Sequence, residues 1–515
     1  MTSLSCPYCG HDSPQQRCTG ELHDKLRQVD NSISQLFTHR SGLLQEHNEI
    51  HSSIGILPPE ILSHIFQYLC SPLEFGDLHS EQEKDNVAPI ESPSWEMNTV
   101  LSKVSINWRR IVMTTPKLWT FVQLHIHSVE TEDNLVWLIR FFEYSGHFPL
   151  TLFIDLPHRG FPSDSLIHPS VDDFLIKNFW RINRVYLRHP HEGWLSYLPQ
   201  LGQMTHLFLV NLKTFIEASL SLSRATSLSE LTLLACDAEI SSPHLTILNF
   251  EQVTFNTLFR TILNCPNLIK LYFRDADAHQ FLRSPIPEET FTLQHLEVLD
   301  LELYGKYCDG HWEAVLLSHI HTPSLRSLRF VVPTDRLFYV LDKSQVAASR
   351  FFATLPTTLT SLEFLATEKN PHWHENAKIL PLLINNSLQD DCLIESLTFV
   401  SCGFRFMADI LQSLTCSYRF PRLRRITMDN LSWLESGYTR GDLELMRPQQ
   451  KAFLSHTFLE VVKLRLDVSE RQLTLYMVHN VADDVAWLDG IWSELVELKR
   501  RGCRLDIFVE SKPKL

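Results

Sequence analysis

Near the start of the chain, apolar residues recur at Leu22, Leu26, Val29, Ile33, Leu36, Leu43 and Ile50, in steps of four and three. Arg40 and His47 fill the two remaining slots. This is the heptad seam of an amphipathic helix, expected over residues 21–51. Such a helix either packs on its own protein or pairs with a second copy as a short coiled-coil homodimer. The two polar seam residues weaken that pairing. A second helical pattern lies in LPPEILSHIFQYLC, residues 57–70. Pro58 and Pro59 can start a helix but not continue one, and Leu57, Ile61, Leu62, Ile65, Phe66 and Leu69 fall on one face. Residues 71–94 are acidic and interrupted by Pro72, Pro89 and Pro93, which reads as an exposed loop. Helical spacing resumes at Met97, Val100, Leu101, Val104, Trp108, Ile111 and Val112 and closes at Thr114-Thr115-Pro116. Leu118 and Trp119 follow, then TFVQLHI, which alternates like a strand.

From about residue 148 the texture changes. Short units of the form apolar-x-x-apolar-x-apolar recur, as in Ile182/Val185/Leu187, Leu228/Leu231/Leu233, Leu245/Leu248/Phe250, Leu268/Leu271/Phe273 and Leu296/Leu299/Leu301. They continue through Leu325/Leu328/Phe330, Leu359/Leu362/Phe364, Ile394/Leu397/Phe399 and Leu423/Ile426/Met428 to a last unit at Val461/Leu464/Leu466. Proline stands two residues ahead of four units, at Pro243, Pro266, Pro323 and Pro421. Cys236 and Cys402 stand three residues behind two others. Leu-x-x-Leu-x-Leu-x-x-Cys is the leucine-rich-repeat signature. The spacing drifts from 17 residues (Leu231 to Leu248) to 38 (Ile426 to Leu464), so the expected stack is irregular and carries insertions. Each unit would give one short strand to a parallel sheet, and the units must stack because none can bury its own apolar face. The tail, AWLDGIWSELVELKRRG then RLDIFVE, reads as a helix and a strand capping the last unit.

Bulk properties narrow the possibilities further. At 515 residues the chain is too long for one compact core. Sixty acidic residues against 46 basic ones, a formal charge of -14, do not suit a phosphate backbone, so no nucleic acid is expected as a partner. The sequence has no signal-like apolar core at its start and no run of about eighteen apolar residues. A cytoplasmic or nuclear protein that is neither secreted nor membrane-bound is therefore expected. Eleven cysteines, mostly inside apolar stretches, fit reduced buried thiols better than a disulfide framework.

Residues 57–119 resemble the F-box, and in particular the F-box-like proteins greatly multiplied in mushroom-forming fungi. The LPPEIL opening, the IFQYL helix, the VSINWRRI segment and the PKLW ending carry the resemblance, in that order. The heptad helix ahead of LPPEIL, the acidic insert and the diverged repeat tail go with the same subgroup. Ser105 departs from the pattern, standing where many F-boxes carry a cysteine. The resemblance implies a Skp-family adaptor as partner, joined through it to a cullin and a RING subunit, with the rest of the chain holding a protein substrate. Carried over by position, Leu57, Pro58, Ile61, Leu62, Ile65 and Phe66 would face the adaptor. Val104, Trp108, Ile111, Leu118 and Trp119 would complete the surface and its small helical domain. The implied protein is a substrate-recognition subunit of an SCF-type ubiquitin ligase and not an enzyme; the alternative is a repeat scaffold without ligase coupling.

The expected architecture is mixed. A cysteine-containing segment (1–20) and a coiled-coil helix (21–51) precede an all-α F-box-like domain (54–125, with the insert 71–94). An irregular α/β leucine-rich-repeat solenoid with a parallel sheet then fills 148–512. Of catalytic motifs, the chain has no G-x-S-x-G elbow, Walker loop, H-E-x-x-H or Rossmann fingerprint. The remaining chemistry is Cys6-Pro-Tyr-Cys9-Gly10, a zinc-knuckle turn in which two thiolates can converge on one tetrahedral ion. Cys18 and His23 are candidates for the other two ligands, with His11 as an alternative. A redox-exposed tail without metal is the other reading.

Overall fold

The computed structural model describes residues 19–51, 54, 57–70, 94–125, 132–155, 169–188, 190, 195, 197–210, 220–222, 225–274, 290–301, 316–332, 350–366, 393–402, 404–415, 422–429, 440–466, 472–478, 486–502, 504–509 and 512–513. The segment holding Cys6, Cys9 and Cys18 and the acidic stretch 71–93 lie outside the described residues. The chain divides into two units: residues up to Val122 with Leu138–Phe148, and Gln123–Trp137 with Pro149 onward.

The first unit is helical. It contains α1 (Thr19–His51), α2 (Pro59–Leu69), α3 (Ser94–Val104) and α4 (Ile106–Thr114), then a 3-10 turn at Pro116–Trp119. Helix α2 starts where Pro59 presets the helical φ in the first turn. Leu62 and Phe66 point inward and meet Leu101, Ile111, Val112, Leu118 and Trp119 in a core where each is under 5% exposed. Phe66 packs on Trp108 with ring centroids 4.8 Å apart. The Trp119 indole donates to the Val112 carbonyl at 2.8 Å. The apolar spacing from Met97 to Val112 reads as one helix, but the backbone breaks at Ser105. Its extended conformation lets Oγ accept from the Trp108 amide at 3.1 Å. A cysteine there would be a poorer cap; a serine N-cap contributes about 1 kcal/mol. Residues 138–148 belong to this unit, and Trp119 stacks against Phe141 and Tyr144 at 5.1 and 4.8 Å.

Helix α5 (Glu132–Tyr144) is followed by the strand-bearing part of the chain. Its strands, counting from β1 (Phe121–His125), are β2 (Leu150–Asp155), β3 (Ile182–Arg188), β4 (His206–Val210), β5 (Leu220–Ser221), β6 (Glu230–Leu234) and β7 (Ala238–Glu239). Then come β8 (Ile247–Glu251), β9 (Lys270–Arg274), β10 (Phe291–Thr292), β11 (Val298–Leu301), β12 (Ile320–His321) and β13 (Ser327–Val332). The series ends with β14 (Ser361–Ala366), β15 (Ser396–Val400), β16 (Arg425–Asp429), β17 (Gln472–Val478), β18 (Arg504–Val509) and β19 (Lys512–Pro513). Fifteen of them form one open sheet, ordered β1-β2-β3-β4-β6-β8-β9-β11-β13-β14-β15-β16-β17-β18-β19. From β2 to β18 the neighbours are parallel, and β19 returns antiparallel. β5 with β7 and β10 with β12 form two separate two-stranded pieces.

The helices α6 (Pro169–Asn178), α7 (Phe255–Asn264), α8 (Phe404–Thr415), α9 (Arg440–Leu466) and α10 (Trp492–Arg500) lie in the connections. The chain is thus mixed α/β with a large parallel sheet, as the alternation of short apolar units implies.

Register makes the core. Val185, Leu207, Leu231, Leu248, Leu271, Leu299, Leu328, Leu362, Leu397, Ile426 and Leu475 stand in line across eleven strands, each at most 1% exposed. Two residues on, a second line runs from Leu187 to Met477, with phenylalanine at 250, 273, 330, 364 and 399. The leucine ahead of each strand forms a third, closed by a tight turn: Leu228 donates to Ala225, Leu325 to Thr322 and Leu359 to Pro356, at 3.1–3.3 Å. Burying each such side chain contributes about 1.5–3 kcal/mol, but only once a neighbouring strand covers it.

A second recurring feature lies behind three strands. Ala235, Gln252 and Ser401 have φ between 51° and 53°. Their amides donate sideways to Glu251, Arg274 and Asp429 carbonyls at 2.8–3.1 Å. This left-handed turn drops Cys402 into the core at 0% exposure and leaves Cys236 half-buried. Burial raises the Cys236 thiol to about 12, so the thiol is protonated and inert.

One sequence expectation fails. Val461/Leu464/Leu466 lies in α9, not in a strand. The strand that follows β16 is Gln472–Val478, in which Leu475 and Met477 face Ile426 and Met428. In α9 the three do not share one face: Val461 is buried beside Val462, while Leu464 is 45% exposed.

Candidate functional site

Two surfaces stand out, one on each unit. On the helical unit, α2 to α4 carry more apolar residues than their core can bury. Ile61 and Ile65 are 47% and 41% exposed, while Leu62 and Phe66, one position on, are buried. Val104 is 53% exposed at the end of α3. Pro58 is exposed, and Leu57 and Trp108 are half-buried. Of the residues expected at a partner surface, Leu62, Phe66, Ile111, Leu118 and Trp119 are therefore packing core and do not face outward. The sequence reading also overlooked Tyr68, Leu69, Val100 and Ile106, all exposed. The signal was present: the apolar face of α2 is broad, with Ile61, Leu62, Ile65, Phe66 and Leu69 all on it, wider than a small core needs.

On the sheet, the row between the two buried lines points to the opposite face, covered at the first strands and partly exposed at Tyr272, Arg329, Glu363, Tyr476 and Phe508. Across the register it reads Phe153, Tyr186, Phe208, Thr232, Asn249, Tyr272, Asp300, Arg329, Glu363, Thr398, Thr427, Tyr476, Phe508. It changes character along its length. At the first strands Phe153, Tyr186 and Phe208 stack nearly parallel, with centroids 4.2 and 4.4 Å apart, and all three are buried. At the far end Tyr476 stacks on Phe508 at 5.0 Å, with the Arg425 guanidinium 5.5 Å from the Tyr476 ring. Both of those rings are half-buried.

The middle of the row is charged. Asp300, only 2% exposed, accepts from Arg274 Nη2 at 2.8 Å and Arg329 Nη1 at 3.4 Å. Arg329 Nε in turn lies 3.0 Å from Glu363 Oε1. Burial pushes the Glu363 carboxyl above its ordinary range, with Arg329 pulling it back. Burial and the Asp300 charge together raise the Tyr272 phenol. Nearer the first strands, on β4 and β6, His206 Nε2 lies 3.3 Å from Glu230 Oε2 and its Nδ1 2.7 Å from Thr205 Oγ1. Burial first, and the Arg184 charge second, hold this imidazole down to about 4 despite the carboxylate. It is neutral at pH 7, and its contact with Glu230 is a hydrogen bond and not an ion pair.

Just ahead of the central strands an open groove of about 480 Å³ is lined by Thr246, Asn267, Ile269, His295, Glu297, Ser324, Arg326 and Thr358. Its hydroxyls already serve the backbone: Thr246 donates to Ser229, Ser324 to Gln294 and Thr358 to Leu325, at 2.6–3.0 Å. The row and the groove present aromatic rings, arginines and carboxylates suited to contacting another macromolecule.

Of the zinc candidates, His23 is exposed on α1, and Cys6, Cys9 and Cys18 fall outside the described residues. Among the described residues no group of three or more His, Cys, Asp or Glu side chains could hold a metal ion. No helix among them is long and apolar enough to cross a membrane. Compared with protein-family models and with curated proteins, the sequence matches none.

Proposed function

We propose that this chain is the substrate-recognition subunit of an SCF-type cullin-RING ubiquitin ligase. Its F-box-like helices dock on a Skp-family adaptor, and its leucine-rich-repeat-like sheet holds a protein substrate. The observation that carries the reading is the split on α2: Leu62 and Phe66 build a core while Ile61, Ile65 and Leu69 stay in water. A small helical unit that leaves such an apolar set exposed is one that a partner completes. The ordered LPPEIL, WRRI and PKLW motifs, which resemble the F-box, support a Skp-family adaptor as that partner. On the sheet, half-exposed Tyr272, Arg329 and Tyr476 are of the residue types that dominate protein interfaces.

The test is co-purification of the full chain with a Skp-family adaptor, comparing the natural protein with Ile61→Asp/Ile65→Asp/Val104→Asp. The expected result is binding by the natural chain and at least a tenfold loss in the variant, since a charge forced into an apolar contact costs several kcal/mol. Absence of adaptor binding by the natural chain, where an established F-box protein binds, overturns the ligase reading. A scaffold that binds proteins without ligase coupling would then remain.

A further inference from the structure

Helix α1 presents an apolar stripe that nothing among the described residues covers. Leu22, Leu26, Val29, Ile33, Leu36 and Leu43 are all exposed, Leu36 by 67%. The stripe continues onto Phe37 and Leu44 at its flank, 63% and 47% exposed. In heptad terms Leu26, Ile33, Arg40 and His47 take position a, and Leu22, Val29, Leu36 and Leu43 take position d. From residue 22 to 47 the seam runs about 38 Å at 1.5 Å per residue. A helix with such a face is marginal alone in water and is held by what packs on the face.

We infer that α1 pairs with α1 of a second copy of this chain, as an antiparallel two-stranded coiled coil. Charge decides the orientation. In a parallel pair in register each seam residue meets itself, so Arg40 meets Arg40 and His47 meets His47 inside the seam. The two Arg40 guanidiniums so placed repel in a partly desolvated setting. In an antiparallel pair position a faces position d. Leu26 then faces Leu43 of the second copy, Ile33 faces Leu36, Arg40 faces Val29 and His47 faces Leu22. By symmetry this gives four wholly apolar layers, and in each remaining layer one polar residue meets one apolar residue. No layer sets like charge against like charge. The Arg40 stem covers Val29 while its guanidinium extends to the flank, where Asp30 of the second copy stands next in sequence. On the opposite flank Lys25 comes level with Glu46. The inference is independent of the ligase reading.

Sedimentation of the full chain at micromolar concentration is the first measurement, with a dimer expected. Ile33→Asp/Leu36→Asp places charges in the two central layers and should give a monomer whose remaining domains still unfold cooperatively, because both side chains face water in the single chain. Orientation is read by mild oxidation and mass-spectrometric identification of the linked peptides. A mixture of Leu26→Cys and Leu43→Cys chains should yield the 26–43 link, and Leu26→Cys chains alone should yield no 26–26 link. A monomeric natural chain, a trimer, a dimer that survives Ile33→Asp/Leu36→Asp, or a 26–26 link overturns the proposal.

Discussion

The charged stretch of the row between the two buried lines gives a prediction whose magnitude follows from geometry. Asp300 has a side chain only 3% exposed, between Arg274 and Arg329 whose side chains are 19% and 27% exposed. Asp300→Asn keeps the shape and one acceptor but removes the charge that both guanidiniums face. Breaking a buried pair from one side costs about 3–5 kcal/mol because the surviving charge is left without compensation. Two features reduce that here: the arginines keep some water, and Arg329 retains Glu363 at 3.0 Å. About 2–3 kcal/mol of destabilisation is therefore expected. The double variant Arg274→Met/Asp300→Leu removes both members of the shorter pair and leaves Arg329–Glu363 in place. It should cost less than Asp300→Asn alone, since apolar replacement of a buried pair is often close to neutral. Hydrogen exchange followed by mass spectrometry is the suitable assay. In a sheet built from successive segments, loss at one strand loosens its neighbours first. Protection should fall in peptides covering β9 to β14 and hold at β2 to β4. Asp300→Asn with protection unchanged, or a double variant worse than the single one, would refute the argument.

Two further outcomes follow from local geometry. Ala235 has φ of 51°, so Ala235→Gly should raise stability by about 0.5–1 kcal/mol and Ala235→Val should lower it by more, in urea unfolding. His206 is held neutral in the folded chain, with its imidazole lowered from 6.5 to about 4. A lowered histidine favours the unfolded state as pH falls, because the unfolded chain binds the proton first. The natural protein should therefore lose about 2–3 kcal/mol relative to His206→Gln between pH 7 and pH 4. Parallel pH dependences for the two proteins would show that the imidazole is open to water.

Periodicity alone pointed to the helix over residues 21–51, the start of α2 at its proline pair and most of the strands whose leucines recur two apart. Each of those patterns is local, set by 3.6 residues per helical turn and two per strand. The same locality explains where it stopped. Val461, Leu464 and Leu466 match the repeat spacing by chance, and they lie in a helix in which Val461 and Val462 are buried and Leu464 is exposed. Ser105 breaks what spacing reads as one helix, because a cap depends on one side-chain oxygen and not on apolar rhythm. On α2 the sequence marked Ile61, Leu62, Ile65 and Phe66 alike; tertiary packing separated a core pair from an exposed pair. Asp300, Arg274 and Arg329 lie 26 and 29 residues apart along the chain. They meet because parallel strands in register bring the same position of each segment side by side. Which residues lie on a strand was thus legible from the sequence, whereas which residues stand beside one another was decided by the register between strands.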